Sequence, residues 1–240
     1  AFIDAFVIGD GEEAAGEIVD EYKRVKGWNS QSEFRGAWVR KEALRRLAKI
    51  PGVYVPSLYT VTYHDDKTIA GIAPSEAGVP DRVKKRIVKD LDAAFYPTAQ
   101  IVPNIGIIHD RIAIEIMRGC KHACRFCQAA ATYRPCRERS TAKILELVDR
   151  AYRATGHDEI SLLSLSSVDH SCIREMIVAL NNAFAPKAVS ISVPSLRIED
   201  ALTDLPALIA KVEKSGLTFA PEAGSDRLRR AIGKNIDIET

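Results

Sequence analysis

The sequence predicts an α/β protein whose C-terminal half forms a parallel sheet curling toward a partial (β/α) barrel. Three observations carry that expectation. From residue 111 onward, β-like runs alternate with helical runs, an order that lays strands side by side and parallel, with helices crossing between them. The first of these runs, 111–116, alternates in polarity and is rich in isoleucine, as a half-buried strand is. Gly119 breaks that run and three cysteines come directly after it; in parallel sheets and barrels the C-terminal strand ends are where ligand sites collect.

The N-terminal elements are read in order. Residues 2–8 have the pattern of a buried strand. Gly9, Asp10, Gly11, Glu12 and Glu13 make a turn into a helix over 14–26, with the acidic residues favouring the helix N-terminus. Ser30, Gln31, Ser32 and Glu33 form a capping box for a second helix over 31–49, stopped by Pro51 and Gly52. Short strands are expected at 53–55 and 58–63, with 68–72 pairing back as a hairpin. Pro74, Pro80, Pro97 and Pro103 punctuate a polar stretch, and the basic run within 81–90 reads foremost as a solvated face.

In the C-terminal half, Ser140 caps a helix over 141–154 that ends at Gly156, before a second strand at 159–165. A helix over 171–184, a third strand at 187–193, a helix within 198–215 and a fourth strand at 217–220 come next, then a helix over 225–232 closed by Gly233. The chain begins at Ala1 inside a strand pattern and stops at Thr240 after four barrel-type strands, so it is expected to be a piece truncated at both ends.

The 240 residues, 46% apolar and 28% charged with net charge +2, describe an ordinary globular composition that singles out no anionic partner. No run has the length needed to span a bilayer and no signal peptide is present, which predicts a cytoplasmic protein with no membrane partner. Five cysteines, three of them clustered, suit a reducing compartment better than a disulfide framework.

The cluster is Cys120, Cys124 and Cys127, spaced C-x3-C-x2-C. Iron–sulfur cubes normally take four cysteines; a compact trio leaves one iron open for chemistry. A zinc site would normally bring two C-x2-C pairs or histidines in its second half, and only one such pair exists; His122 lies awkwardly between two of the cysteines. An electron carrier would need a fourth ligand, for which Cys136, nine residues on, is available. A zinc-binding RNA-interaction module and an iron–sulfur electron-transfer protein therefore stand as the alternatives.

Cys120, Cys124 and Cys127, with Phe126 as the aromatic, resemble the C-x3-C-x-aromatic-C signature of the radical S-adenosylmethionine (SAM) superfamily. The resemblance implies a [4Fe-4S] cluster on the three cysteines, with SAM chelating the fourth iron through its amine and carboxylate. It implies reductive cleavage to a 5′-deoxyadenosyl radical, a partial barrel of the radical SAM type with six strands, and an electron donor such as flavodoxin or ferredoxin. The wider set of motifs, Tyr-Arg-Pro-x-Arg-Glu-Arg-Ser from Tyr133, Leu-Ser-Ser-x-Asp from Leu165, Pro-Ser-Leu-Arg from Pro194 and Phe-Ala-Pro-Glu-Ala-Gly-Ser from Phe219, is similar to radical SAM proteins carrying a cobalamin-binding domain, of largely unassigned function. That kinship implies three segments: the end of a Rossmann-like domain at 1–50, a linker with short strands at 51–110, and the N-terminal part of the barrel at 111–240. It also implies cobalamin, by kinship only, since no Asp-x-His-x-x-Gly fingerprint is present. Methyl or methylthio transfer to RNA, protein or a small molecule is the implied outcome.

Further cofactor-binding candidates lie after the strand ends. Ser166 and Ser167 stand where the superfamily often has Gly-Gly-Glu-Pro for the methionine amine, an element this chain lacks; they could equally cap the next helix. Arg197, leaving the third strand, can fork to the methionine carboxylate, with Ser195 beside it. Glu222 comes after the fourth strand and is a candidate for the ligand amine or for substrate protons. Phe126 joins this set from the cysteine loop itself.

Overall fold

A computed structural model describes residues 3–29, 37–194, 196, 209, 220–234 and 236. The chain divides into two compact units, Ala1–Lys89 and Asp90–Thr240. The segment expected as a linker, 51–110, is thus shared between them.

In the first unit, β1 (Phe6–Val7) pairs antiparallel with β2 (Val53–Tyr54). The expected buried strand over 2–8 is therefore short, and Phe6 and Val7 are exposed. Helix α1 (Glu12–Asn29) starts two residues before the expected position, with Glu12 and Glu13 in its first turn. Helix α2 (Ala37–Leu47) ends two residues before the expected limit, and the capping box before it lies outside the described residues. β3 (Tyr59–Tyr63) and β4 (Ile69–Pro74) form the expected hairpin. Ala48, Ile50, Val53, Val55 and Leu58 build a small core.

The basic run does not stay wholly in solvent. Arg86 aligns with β1 through Arg86 N–H to Ile8 O (2.8 Å) and Asp10 N–H to Arg86 O (3.0 Å). Its guanidinium then bridges Glu17 (2.6 Å) and Glu13 (2.7 Å) on α1. Gly9 is required here: its φ is +109°, and a Cβ would sit 2.1 Å from the Arg86 carbonyl oxygen.

The second unit is built on a parallel sheet in the order β5–β8–β9, comprising β5 (Ile112–Glu115), β8 (Glu159–Leu163) and β9 (Ser190–Ser192). Ile114 stands opposite Leu162, and Ile160 opposite Ile191. Between β5 and β8 come β6 (Met117–Arg118), α3 (Ala129–Thr132), β7 (Arg137–Glu138) and α4 (Thr141–Thr155); α5 (Ile173–Phe184) precedes β9. Ser140 Oγ accepts from Lys143 N–H, and Gly156 in the left-handed region ends α4, both as the sequence predicts. Helix α4 buries Ile144, Leu147, Val148 and Ala151; α5 buries Ile173, Met176, Ile177, Leu180 and Phe184. These are the three- and four-residue spacings that put one helix face on a sheet. With Ile112, Ile114, Leu162 and Ile191 they form one continuous core.

Helix α6 (Asp226–Ala231) ends at Gly233, and Ser225 Oγ accepts from Leu228 N–H. The expected helix within 198–215, apart from Ile209, and the expected strand at 217–220, apart from Ala220, lie outside the described residues. Among the described residues no helix is long and apolar enough to cross a membrane.

Leu162 is fully buried on the central strand, whereas Leu165, just beyond it, is 49% exposed. Leu162→Ala is expected to cost about 2–5 kcal/mol, and Leu165→Ala within about 0.5 kcal/mol. Urea unfolding of both variants checks the pair; equal losses would contradict the placement of the core.

Candidate active site

The sheet delivers the cysteines to the C-terminal end of β5. The chain leaves β5 with Ile116 N–H bonded to Leu163 O (2.9 Å) on the neighbouring strand, and Arg139 N–H returns to Ile116 O (2.8 Å). β6 pairs antiparallel with β7, with Arg118 opposite Arg137. Residues 119–136 are therefore a closed excursion whose two ends are stitched together. Gly119 makes this closure possible. Its φ is +100°, and a Cβ would lie 2.9 Å from both Cys136 Cα and Tyr133 O.

Within the excursion, Cys127 N–H bonds to Cys124 O (3.0 Å) in a tight turn, and Arg125 N–H bonds to Ile232 O (2.8 Å) at the end of α6. Gly233 packs against the same loop: a Cβ there would stand 3.2 Å from Ala123 O. The last described helix thus buttresses the cysteine loop. Cys120 and Cys124 are half-buried and Cys127 is exposed, all as free thiols. Phe126 is exposed beside them.

The loop after β8 holds the other flank. Lys121 Nζ donates to Asp169 O (2.6 Å) and to Glu138 Oε1 (3.0 Å). His122 Nε2 lies 2.8 Å from Asp169 Oδ2, a contact at ion-pair distance but without hydrogen-bond alignment. Glu138 Oε2 accepts from Ser171 N–H (3.1 Å) and from the Ser171 hydroxyl. Burial would push the Glu138 carboxyl up, but the hydrogen bonds from Ser171 and Lys121 outweigh it and hold it below the usual carboxylate range. His170 Nδ1 accepts from Cys172 N–H (3.1 Å). Its proton is thereby assigned to Nε2, which donates to Arg139 O (3.0 Å).

Arg139, which follows the cysteine loop, is buried rather than solvated. It is 1% exposed. Nε donates to Glu115 O (3.1 Å), Nη1 to Leu91 O, and the guanidinium lies 5.3 Å from the centroid of the Tyr96 ring. Burial lowers its pKa, with Glu115, Asp92 and Tyr96 opposing. The Tyr96 hydroxyl, pushed up by burial, bonds Ala113 O (2.7 Å) and receives Glu115 N–H (3.2 Å). Glu115 itself is engaged by Arg118 through two parallel bonds of 2.9 and 2.8 Å. The floor under the cysteine loop is therefore a fixed polar layer.

The remaining candidates divide. Ser167 is fully buried, its hydroxyl 2.9 Å from Ser164 Oγ and 3.4 Å from Leu162 O; Ser166 N–H bonds Ser164 Oγ (3.1 Å). Neither caps α5, whose N-cap is Cys172 with no side-chain bond. Glu222 adopts a positive φ of 68° and pairs with Lys234 (3.0 Å), whose ammonium also reaches Ala220 O. Arg229, 2% exposed, holds this turn through Ile236 O and Ala223 O, both 2.9 Å, and through Asp226. Ser195 and Arg197 lie outside the described residues. Cys136 is only half-buried, packed against the core edge beneath Gly119.

Lys121, Glu138 and Asp169 escaped sequence reasoning as parts of the site. The two-residue β6–β7 pairing that gathers them shows no alternating pattern. One signal was present: Lys121 and His122 between two cysteines, with Glu138 and Asp169 available as acidic partners.

The charge on the three thiols is mutually opposed at Cys120. Burial pushes the Cys120 thiol up, the His122 backbone N–H pulls it back, and Asp169, Cys124 and Cys127 push it up further. Thiolates that disfavour one another's ionisation gain from a shared cationic centre. Among the described residues no three Cys, His, Asp or Glu side chains are grouped closely enough to hold a metal ion.

Comparison with known families agrees with this arrangement. Residues 114–240 match the model of the radical SAM superfamily, and residues 1–56 match that of the N-terminal region of radical SAM proteins. The chain belongs to the radical SAM superfamily, a family of enzymes whose membership implies a [4Fe-4S] cluster and SAM. It is also 35% identical over 156 residues to the uncharacterized protein MJ0966 of Methanocaldococcus jannaschii, a match covering 65% of this chain and 34% of that protein. The chain thus spans about a third of its relative's length.

This geometry makes two outcomes testable. Gly119→Ala meets backbone atoms that cannot swing aside, so the whole protein carrying it is expected to lose cluster loading while keeping its far-UV circular dichroism; iron and sulfide assays check this. Glu138 contributes through a depressed pKa, so its share of stability is full above about pH 4.5 and is lost as pH falls through the lower folded value. The stability gap between the parent protein and Glu138→Gln is expected to close on acidification; a gap that widens toward low pH would contradict the stabilising role of the Glu138 contacts with Lys121 and Ser171.

Proposed function

We propose that this chain carries the cluster-binding part of a radical SAM enzyme, with Cys120, Cys124 and Cys127 holding a [4Fe-4S] cluster. Such a cluster, with one iron free of protein ligands, supplies the electron for reductive cleavage of SAM to a 5′-deoxyadenosyl radical. The observation that carries the reading is the C-x3-C-x2-C loop closed by Gly119 at the end of β5, inside the matched region. This chain's own residues orient and shield. Phe126 lies beside Cys127 to pack against the nucleoside. Ser166 and Ser167, at the end of β8, offer backbone groups to the methionine amine. Arg197 takes its carboxylate, with Ser195 near the ribose or that carboxylate, and Glu222, held by Lys234, serves the amine or substrate protons.

The transferred group is methyl or methylthio, and the acceptor is an RNA, a protein or a small molecule. Reduction comes from flavodoxin or ferredoxin in the cytoplasm. In this reading residues 1–50 close a Rossmann-like cobalamin-type domain, a role supported by kinship alone.

The test is anaerobic reconstitution of the whole protein with iron, sulfide, dithionite and SAM, monitoring 5′-deoxyadenosine. Release of this product is expected, to be abolished in Cys120→Ala, Cys124→Ala and Cys127→Ala and retained in Cys136→Ala. Zinc uptake in preference to iron, or a cluster that needs Cys136, would overturn the reading.

A further inference from the structure

We propose that Asp169 is a positioning residue that locks the cysteine loop to the end of β8, so that the sulfur ligands and the SAM-facing serines keep one fixed relation. The proposal rests on the functional reading above and deepens it. Asp169 acts twice on two consecutive residues. Its carbonyl receives Lys121 Nζ at 2.6 Å, and its carboxylate lies 2.8 Å from His122 Nε2. Lys121 and His122 are the first two residues after Cys120 and precede Cys124 by three and two positions. The stretch between the first two sulfur ligands is thus gripped from the side.

The grip is anchored at its other end. Asp169 N–H bonds Ser166 O (3.1 Å), closing the short 3-10 turn that contains Ser167. Any displacement of the cysteine loop therefore pulls directly on Ser166 and Ser167. A second line runs in parallel. Glu138 holds Lys121 with one oxygen and Ser171, two residues past Asp169, with the other. The Asp169 side chain is only 11% exposed, so salt screens its contact with His122 less than it would a fully exposed pair. Outer partners of this kind orient the groups that hold a metal centre, and their loss is felt in affinity or activity. The place is telling: the turn occupies the strand end where Gly-Gly-Glu-Pro is absent from this sequence. A strap between loops supplies the rigidity there.

The test uses the whole protein in two forms. In the cluster-free form, iodoacetamide alkylation of Cys120 and Cys124 is tracked site by site by mass spectrometry. Asp169→Ala, which keeps the backbone carbonyl contact with Lys121 but removes the carboxylate beside His122, is expected to quicken it several-fold, and Asp169→Asn, which keeps a polar side chain of the same size there, less so. In the reconstituted form, iron content is expected to stay close to that of the parent protein. The KM for SAM in 5′-deoxyadenosine formation is expected to rise by about tenfold or more with a smaller change in kcat, and the SAM-induced change in the EPR spectrum of the reduced cluster to weaken. Unchanged alkylation, or an unchanged KM and EPR response, overturns the proposal. If Asp169→Ala does not fold, Lys121→Met with His122→Gln breaks the same strap from the loop side, and the same readouts decide. If the parent protein fails to cleave SAM, the functional reading falls, while the alkylation arm still decides whether Asp169 holds the loop.

Discussion

The structure around the cysteines depends on one constraint: an eighteen-residue excursion, 119–136, must leave and rejoin the sheet at nearly the same point. Gly119 permits it, because any side chain would collide with the Cys136 and Tyr133 backbone. β6 and β7 seal it. Arg139 then finishes the base by turning its charge inward, onto the Glu115 and Leu91 carbonyls and the Tyr96 ring. A buried cation satisfied by carbonyls and an aromatic face is costly to rearrange, so the floor of the site is stiff. Stiffness has chemical value here, since a site that must place a reactive centre loses efficiency with small displacements.

Three separate parts of the second unit converge on this loop. The end of β8 contributes Asp169 and Ser171, β7 contributes Glu138, and the turn after α6 contributes Ile232 and Gly233. The first and last of these are distant in sequence from the loop, and the first reaches it because β8 lies beside β5 in the parallel sheet, whose C-terminal strand ends come together. The fold thus acts as a collecting device, and the cysteines lie where it collects.

Much of this was legible in the sequence. The helix limits of α4 and α5, the caps at Ser140 and Gly156, the β3–β4 hairpin and the strand before the cysteines come from periodicity and capping, which are local. The cysteine spacing announced the chemistry. Hidden from local reading were the contacts whose partners lie far along the chain: Arg86 with Glu13 and Glu17, Arg139 with Leu91, and Lys121 with Asp169. Each polar partner looks like a solvated surface group in its own window. The opening strand was over-read for the opposite reason, since an apolar run says nothing of whether a neighbour exists to cover it. The form of Ser166 and Ser167 was not legible, because hydroxyls that bond within their own turn resemble helix caps in sequence.

The central claim is that Cys120, Cys124 and Cys127 bind a four-iron cube with one iron left to an exogenous ligand. Mössbauer spectroscopy of the whole protein reconstituted with ⁵⁷Fe, recorded with and without SAM, measures this directly. The account predicts that SAM shifts the signal of one iron in four and leaves the other three unchanged. A spectrum in which all four irons ignore SAM, or a protein that takes up no iron, would contradict it.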